Sequence, residues 1–363
     1  MKDNNLQPLV SVLIPMYNQE RYIDACMQSV CMQTYKNLEI IVTNDGSTDR
    51  SPQKLRNWAS RDSRIKVIDK KNEGLPFARR DGYLEATGDF VTCVDSDDLL
   101  PPKAIEVLVK CVVENNVDLV IGSTMNKLGP LRRDSSSSRY QFPFNKVIRQ
   151  PELFDRYYVG FFSNKIFPIS IWGRIYRKSC IDRAYCETEL FSTEIRYMGE
   201  DHFFNVKLFP YLNSMYRTSE YVYIYRFGGG TAHFNSNFPS LFWFCDMRLK
   251  LLDQYAYKSG YEPLFEEYIA CLYYHAAQLL HYKKADKAGV IDFFRQEVEK
   301  RELMPRFKSY YTKNGIPTHE MKLLINEDYE GMYQYTCKRR KEIFCSLSHK
   351  LRHSMLWVLN NIG

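Results

Sequence analysis

The sequence predicts an α/β fold with a mainly parallel central sheet, followed by a C-terminal helical region. Two alternating patterns in residues 1–122 indicate this class: short runs of β-branched and aliphatic residues, and longer segments with helical spacing between them. The helical segments are long enough to connect neighbouring parallel strands, so we expect helices on both faces of the sheet. After Pro239, apolar residues recur at three- and four-residue steps, which favours helices over the last part of the sequence.

Five apolar runs are expected to form the strands of this sheet. They are Leu9–Pro15, Leu38–Asn44, Ile65–Asp69, Phe90–Asp95 and Asp118–Ser123. Ligands of open parallel sheets bind beyond the carboxyl ends of the strands. Polar, turn-forming sequences stand at four of these ends, namely PMYN, NDGSTD, KKNEG and DSDD, so the sequence predicts a single ligand site there.

The alternation of strands and helices stops between Asn126 and Gln150. This segment includes LGPLRRDSSSSRYQF, which is basic and rich in serine, and it is predicted to be a mobile loop or an insertion. Regular patterns return with ISIWGRIYRKS, with a helix beginning at GEDHFFNVKLF, and with two strands within Ser214–Phe227. We therefore expect a first domain at residues 1–238 and a second, helical domain at residues 239–363.

Composition and charge are those of a globular protein with one large domain or two ordinary ones. Hydrophobic residues make up 45% of the 363 positions, and the net charge of +7 is too small to indicate nucleic-acid binding. The N-terminus lacks the apolar segment of a signal peptide, and no apolar run reaches the roughly 18 residues of a membrane span. The ten cysteines have no zinc-site spacing, so we expect reduced thiols in a cytoplasmic protein.

The most informative segment is DFVTCVDSDDLLPP, in which an apolar strand ends at Asp95, Asp97 and Asp98. Carboxylates this close repel one another, and burying them without a counter-charge is costly. Side chains two apart in an extended segment point the same way, so Asp95 and Asp97 can face one divalent cation or one sugar phosphate. Oxygen ligands favour Mg2+ or Mn2+. A solvated acidic turn is the structural alternative.

Other polar groups near this edge have both a functional and a structural explanation. Asp45 can bind a base or a ribose, or it can form an Asx turn with Gly46. Arg79 can neutralise phosphates, or it can be a solvated surface charge. Glu200 and Asp201 can supply a proton acceptor, or they can simply favour a helix N-terminus.

Taken together, these segments resemble a family 2 glycosyltransferase of the GT-A type, as found in bacterial polysaccharide synthesis. The resemblance covers about residues 9–235 and rests on VSVLIPMYNQERYIDACMQSVCMQTYKNLEIIVTNDGSTDRS, NEGLPFARRDGYLEATGDFVTCVDSDD, WGRIYRKS, GEDHFFNVKLF and YIYRFGGGTAH, in this order. It implies the GT-A nucleotide-sugar-binding fold, with a nucleotide half at residues 9–125 and an acceptor half at residues 151–235. Arg80 departs from the family pattern, which usually has Asn there.

The resemblance also implies a role for each matching residue. Asp201 is similar to the general base and Asp97 to the direct metal ligand, with His233 as a further metal contact. The residues implied to contact the nucleotide sugar are Pro15, Tyr17, Asn18, Glu20, Asp45, Arg79, Asp95 and Ser96. The acceptor site is implied to include Trp172 and Glu200.

These roles imply the inverting, metal-dependent transfer of a sugar from a nucleoside-diphosphate sugar, with UDP as the expected nucleotide and Mn2+ or Mg2+ as the cofactor. The acceptor would be a hydroxyl of a glycan or of a polyprenyl-diphosphate-linked sugar. The alternative is a catalytically inactive nucleotide-sugar-binding or scaffold protein of a polysaccharide assembly complex. The segment PMYNQERYI lacks the glycine-rich signature of a nucleotidyltransferase or a dinucleotide-binding dehydrogenase.

The C-terminal segment has two interpretations. A basic run at residues 338–341 precedes apolar residues that recur at helical steps from Phe344 to Val358. A basic amphipathic helix can lie on an anionic membrane, which would suit a lipid-linked acceptor and a peripheral location on the cytoplasmic membrane face. Docking of this helix on its own domain is the structural alternative, and both interpretations stay open.

Overall fold

The computed structural model describes twelve parts of the chain. These are residues 7–128, 131–134, 142–158, 170–188, 200–226, 246, 249–250, 252–253, 261–281, 284–301, 303–316 and 318–340. The chain divides into two compact units, Met1–Phe234 and Asn235–Gly363. The first unit contains the strands and the acidic turn, and the second contains helices.

The first half of the first unit alternates strands and helices as the sequence predicts. The elements are β1 (Val10–Met16), α1 (Ile23–Cys31), β2 (Leu38–Asp45), α2 (Ser51–Ala59), β3 (Ile65–Lys70), α3 (Leu75–Leu84), β4 (Phe90–Cys93), α4 (Ala104–Glu114) and β5 (Leu119–Leu128). Strands β3, β2, β1 and β4 lie side by side and are parallel. Their carboxyl ends therefore meet at one edge of the sheet.

The second half of the unit completes a nine-stranded sheet among the described residues. Its elements are β6 (Leu131–Asp134), β7 (Val147–Arg149), β8 (Arg174–Arg177), α5 (Lys178–Glu187), α6 (Glu200–Leu208) and β9 (Ser214–Arg226). Strand β8 inserts antiparallel between β4 and β5, and β9 pairs parallel with β5. Strands β1 to β5 and β9 thus run in one direction, which confirms the mainly parallel sheet.

Two segments differ from the sequence prediction. Residues 126–150 are not a simple loop, because β5 continues to Leu128 and both β6 and β7 lie within this segment. Polar residues in this segment obscured the strand in the sequence. In the structure they are paired with residues of neighbouring strands, as Asn126 is with Tyr225 of β9. Residues 214–226 form one strand instead of two, because register shifts in the pairing with β5 accommodate the polar interruption that suggested a break.

The main core lies between the sheet and the helices that pack on it. Helix α1 buries one apolar face, with Ile23, Met27 and Val30 fully inside. Strands β1 and β2 are buried along their whole length, as expected for parallel strands covered on both faces. This burial fixes the ends of the strands and so the positions of the polar turns that follow them.

The described part of the second unit is helical, in agreement with the sequence. Its helices are α7 (Tyr261–His281), α8 (Lys287–Glu299), α9 (Leu303–Asn314), α10 (His319–Ile325) and α11 (329–340). Asp286 caps α8 by accepting from the Gly289 amide, and Thr318 caps α10 by accepting from the Met321 amide. Across the described ranges, no helix combines the length and the apolarity that a membrane crossing requires. The apolar stripe from Phe344 to Val358 lies outside the described residues.

Candidate functional site

The acidic turn begins where β4 leaves the sheet. Phe90–Cys93 is buried on the sheet, and the amide of Asp98 closes the turn by donating to the carbonyl of Asp95 at 2.9 Å. The side chain of Asp95 is 25% exposed, whereas Ser96 and Asp98 are buried. Asp97 is partly exposed, and no salt bridge among the described residues engages its carboxylate. The turn therefore presents Asp95 and Asp97 at the sheet edge and keeps Asp98 inside.

Arg79 connects this turn to the start of α6. Its guanidinium donates to the Asp95 carboxylate at 2.9 Å and to the Asp201 carboxylate at 2.7 Å, with Glu200 at 3.5 Å. The side chain of Arg79 is only 3% exposed, so it is not the solvated charge of the structural alternative. One buried cation thus joins the Asp95 carboxylate to the adjacent pair Glu200 and Asp201, which lies more than a hundred positions further along the sequence.

The carboxylates outnumber the cations around them, and their pKa values respond. Burial raises the pKa of Asp201 to about 7, against the opposing effect of the Arg79 charge. Burial and the nearby Asp95 charge raise the pKa of Asp97 to about 6. Burial, together with the charges of Asp97 and Asp95, raises the pKa of Asp98 to about 8. The raised pKa values show that negative charge on these carboxyls is disfavoured in the protein alone, and an added cation would relieve this by stabilising their ionised forms.

Asp45 lies at the end of β2 and holds the loop that leads into α3. Its two carboxylate oxygens accept from the amides of Glu73 and Gly74, at 2.9 and 2.8 Å. Gly74 has φ 101° and ψ 164°, a conformation that is almost restricted to glycine. Because α3 carries Arg79, Asp45 helps to fix the position of the guanidinium. The structure therefore gives Asp45 a loop-holding contact in addition to its predicted contact with a base.

The turns after β1 and β2 are joined by reciprocal hydrogen bonds. The side-chain oxygen of Asn18 accepts from the backbone amide of Thr48 at 2.8 Å, and the backbone amide of Asn18 donates to the Ser47 hydroxyl at 3.0 Å. The Glu20 amide donates to Asp49 at 2.9 Å. Asn18 adopts φ 51°, a left-handed conformation that asparagine tolerates better than most residues. Hydrogen bonds thus join the two turns into one continuous surface at the sheet edge.

The remaining residues predicted from the first turn and from the acidic turn differ in exposure. Tyr17 is 37% exposed and can contact a ligand with its ring. Pro15 is buried in β1, paired with Thr43, and Ser96 is only 4% exposed. A ligand would therefore meet Pro15 and Ser96 through the main chain. His233, predicted as a metal contact, lies outside the described residues.

Trp172 stands on the loop before β8 and stacks on β9. Its ring lies parallel to those of Tyr223 and Tyr225, with centroids 4.5 and 5.7 Å away. Gly173 follows with φ 71°, which turns the chain directly into β8. Trp172 is partly exposed, so one part of the ring packs on the strand and the rest can form the wall of a site.

The sequence analysis placed Asp98 in the acidic turn without a partner and did not single out Tyr223. In the structure, the Tyr223 hydroxyl donates to Asp98 at 2.8 Å and accepts from the Asp95 amide at 3.1 Å. The Arg226 amide donates to the other oxygen of Asp98 at 2.7 Å. The sequence offered only a weak signal for this contact, a third acidic residue in the turn that needed a partner.

The comparison with solved structures defines the class of the fold. The chain is similar to residues 1–349 of TarS from S. aureus, crystallised in complex with UDP-GlcNAc, with a TM-score of 0.50 and 17% identity over 95% of this chain and 92% of that one. At this level of identity, the similarity is evidence of a shared fold and not of a shared function. The fold is therefore the GT-A fold of nucleotide-sugar-dependent transferases, as the sequence predicted.

The family follows from sequence comparison. Residues 11–183 match the family described as glycosyl transferase family 2. The chain is 30% identical over 228 residues to glycosyltransferase GlyA of Streptococcus pneumoniae serotype 4 (strain ATCC BAA-334 / TIGR4), and 33% identical over 222 residues to the uncharacterized glycosyltransferase EpsJ of Bacillus subtilis (strain 168). Residues 11–183 therefore match a glycosyl transferase family 2 domain, which confirms the resemblance over this part of the chain.

These matches cover only part of each protein. They include 61% and 60% of this chain, but 31% of the length of GlyA and 61% of the length of EpsJ. The shared region contains the parallel strands and the acidic turn. It therefore shows which domain the chain shares with these glycosyltransferases, and it leaves the activity, the donor and the acceptor to be inferred from the site.

Proposed function

We propose that this chain transfers a sugar from a UDP-sugar to a hydroxyl of a glycan or a lipid-linked acceptor, with inversion at the anomeric carbon. The observation that carries the proposal is the Arg79 bridge, which holds the Asp95 turn and the Glu200–Asp201 pair within hydrogen-bonding distance of one guanidinium. An inverting displacement needs a base near the face of the anomeric carbon that is opposite the leaving diphosphate, and a turn that binds the diphosphate on the other side. The bridge supports such an arrangement at the carboxyl ends of the strands.

The donor groups at the turn fit a hard divalent cation, Mn2+ or Mg2+. The Asp97 carboxylate is partly exposed, has a raised pKa and forms no salt bridge among the described residues. Within the same described ranges, no group of three or more acidic, His or Cys side chains is arranged to hold a metal. Mg2+ and Mn2+ commonly complete their coordination with substrate phosphates and water, so Asp97 would share the ion with the donor diphosphate. When bound, the ion would stabilise negative charge on the leaving diphosphate.

The protein side chains divide the remaining work between them. Asp201 would accept the proton of the acceptor hydroxyl as its oxygen forms the new bond to the anomeric carbon. The bond from that carbon to the diphosphate oxygen breaks, and its electron pair leaves with UDP. One displacement with one base inverts the anomeric centre. Arg79 would keep Asp201 ionised and hold it in place until the acceptor arrives.

UDP is proposed as the nucleotide because TarS, which shares the fold, was crystallised with UDP-GlcNAc. Asp45 and the exposed ring of Tyr17 lie at neighbouring strand ends, where a base could bind. We also propose a role in cell-surface polysaccharide synthesis at the cytoplasmic membrane face. The support is the basic end of α11, where Lys338 and Arg339 are exposed.

The test is a thermal-shift screen of UDP, GDP and their sugars with Mn2+, followed by a UDP-release assay with candidate acceptors. UDP with Mn2+ should stabilise the wild-type protein, and Asp97→Ala should lose that gain. Asp201→Asn should bind UDP nearly as well as the wild type, while turnover falls by about 100-fold or more. Glu85→Gln, which changes an exposed carboxylate at the end of α3, is the matched control.

Each outcome separates the proposal from its alternative. Binding of UDP and Mn2+ without UDP release from any donor would favour the scaffold protein. Retained stabilisation in Asp97→Ala would remove the metal assignment. Unchanged turnover in Asp201→Asn would remove the base.

A further inference from the structure

We propose that Tyr223 is a positioning residue that couples the metal-binding turn to the acceptor wall. Its hydroxyl holds the Asp95–Asp98 turn, and its ring holds Trp172. The inference rests on the proposed function and adds a physical link between the donor side and the acceptor side of the site. Tyr223 is not a catalytic residue, because it is fully buried and acts through its neighbours.

The hydroxyl of Tyr223 has two partners in the turn. It donates to Oδ2 of Asp98 at 2.8 Å and accepts from the amide of Asp95 at 3.1 Å. Asp98 is itself 0% exposed, so water cannot replace the hydroxyl without a change in packing. One phenol oxygen therefore holds the main chain before Asp97, at the Asp95 amide, and the side chain of Asp98 after it. These two contacts limit where the Asp97 carboxylate can point.

Strand β9 supports the same turn through its backbone. Leu99 and Ile224 exchange two backbone hydrogen bonds, of 3.1 and 2.9 Å. The Arg226 amide donates to Oδ1 of Asp98 at 2.7 Å, and the Arg226 guanidinium donates to the carbonyl of Asp97. The turn is thus attached to residues 223–226 of β9, and a displacement of this part of the strand would move the turn with it.

The ring of Tyr223 meets the predicted acceptor wall. The Trp172 ring stacks on it with an interplanar angle of 12° and a centroid distance of 4.5 Å. A Cβ at Gly173 would lie 3.5 Å from the Cβ of Tyr223, so the loop backbone also lies against this residue. Tyr223 thus contacts both Trp172 and the acidic turn. A substitution at Trp172 should therefore alter the position of the acidic turn and its affinity for the metal.

The coupling predicts effects at sites that the mutated side chain does not touch. Tyr223→Phe keeps the ring and removes the hydroxyl, so Asp98 and the Asp95 amide each lose a buried partner. Loss of a residue that orients a metal ligand typically lowers metal affinity by about 10- to 100-fold. We expect the dissociation constant for Mn2+ in the presence of UDP to rise by about 10-fold or more. Trp172→Leu removes the stack, and we expect it to raise the same constant by about 3-fold although Trp172 is on the acceptor side.

The experiment is a Mn2+ titration followed by electron paramagnetic resonance, with full-length protein and saturating UDP. Tyr216→Phe is the matched control, because it removes a β9 tyrosine hydroxyl that contacts Asn145 at 3.2 Å and lies outside the turn. Its Mn2+ affinity should equal that of the wild type. Kinetics supply the second readout: Tyr223→Phe should lower kcat and raise the Mn2+ requirement, with little change in the acceptor KM. A general loss of packing would instead change all of these quantities together.

The outcomes distinguish this inference from the proposed function. Wild-type protein that binds neither UDP nor Mn2+ would overturn both. Wild-type protein that binds them, with Tyr223→Phe identical to it, would overturn the role of Tyr223 alone. An unchanged Mn2+ affinity in Trp172→Leu would overturn the coupling between the two sides, and this variant gives a result even if Tyr223→Phe fails to fold.

Discussion

Replacement of Arg79 tests the electrostatics of the site most directly. Arg79→Met keeps most of the aliphatic stem and removes the charge that contacts Asp95 and Asp201 at 2.9 and 2.7 Å. The wild-type Arg79 charge opposes the burial that raises the pKa of Asp201 to about 7. An opposite charge at contact distance lowers a carboxyl pKa by about 1 to 3 units, so its loss should raise the pKa of Asp201 by a similar amount.

The consequence for turnover follows from the ionised fraction of Asp201. At pH 7 about half of a carboxyl with a pKa near 7 is ionised; a rise of about one unit lowers kcat about 5-fold, and about two units about 50-fold. The acid limb of the kcat profile should move to higher pH by the same amount, and part of the activity should return near pH 9. Because a buried partner is lost, the free energy of unfolding should also fall by about 3–5 kcal/mol.

The assay is kcat against pH at saturating donor and acceptor, which separates the base from any effect on donor binding. Arg79→Lys is the control, because it keeps the charge while losing the two-pronged contact. Its acid limb should stay closer to that of the wild type than the limb of Arg79→Met. A Met variant whose kcat falls while its pH profile overlays the wild-type profile would refute the argument that Arg79 sets the ionisation of Asp201.

Three further predictions follow from the structure. In EDTA, the free energy of unfolding should decline as pH rises from about 4 to about 8 and then level off, because over this range the native state holds a proton on Asp98, with its pKa of about 8, that the unfolded chain releases near 4. Asp98→Asn should reduce that decline in urea titrations at several pH values, and an unchanged slope would contradict it. Gly74→Ala should lower the free energy of unfolding by about 1–3 kcal/mol through backbone strain alone, since an added Cβ would lie 3.9 Å from Cδ of Pro76, an ordinary contact distance. A denaturation curve that matches the wild type would argue against this strain. Trp172→Ala should raise the acceptor KM about 10-fold while the UDP thermal shift at saturating Mn2+ stays constant, with Trp172→Phe as a control that keeps the stack.

The parallel half of the sheet could be predicted because its information is local. Each strand from β1 to β5 is a short apolar run that ends in polar residues, and each helix between them shows its own spacing. The acidic turn was found for the same reason, since Asp95 and Asp97 directly follow a buried strand. The continuation of β5 beyond residue 125 could not be found in this way, because its polar residues are stabilised by pairing with β9.

The contacts within the site depend on long separations in the sequence. Arg79 and Asp201 are 122 positions apart, and Asp98 and Tyr223 are 125 apart. No local pattern indicates that these pairs meet. The family resemblance singled out Arg79 and Asp201 separately. It did not predict that the Arg79 guanidinium contacts the Asp201 carboxylate. Tyr223 stood in a run of alternating tyrosines, where packing was sufficient to explain the pattern.

The bonded turns after β1 and β2 limit how this domain can be re-engineered. The side chains of Asn18 and Glu20 in one turn, and those of Ser47 and Asp49 in the other, accept hydrogen bonds from backbone amides of the opposite turn. A transplant of either turn alone into another transferase would separate halves that complete each other's hydrogen bonds. Chimeras intended to alter nucleotide preference should therefore exchange residues 17–20 and 47–51 as one cassette.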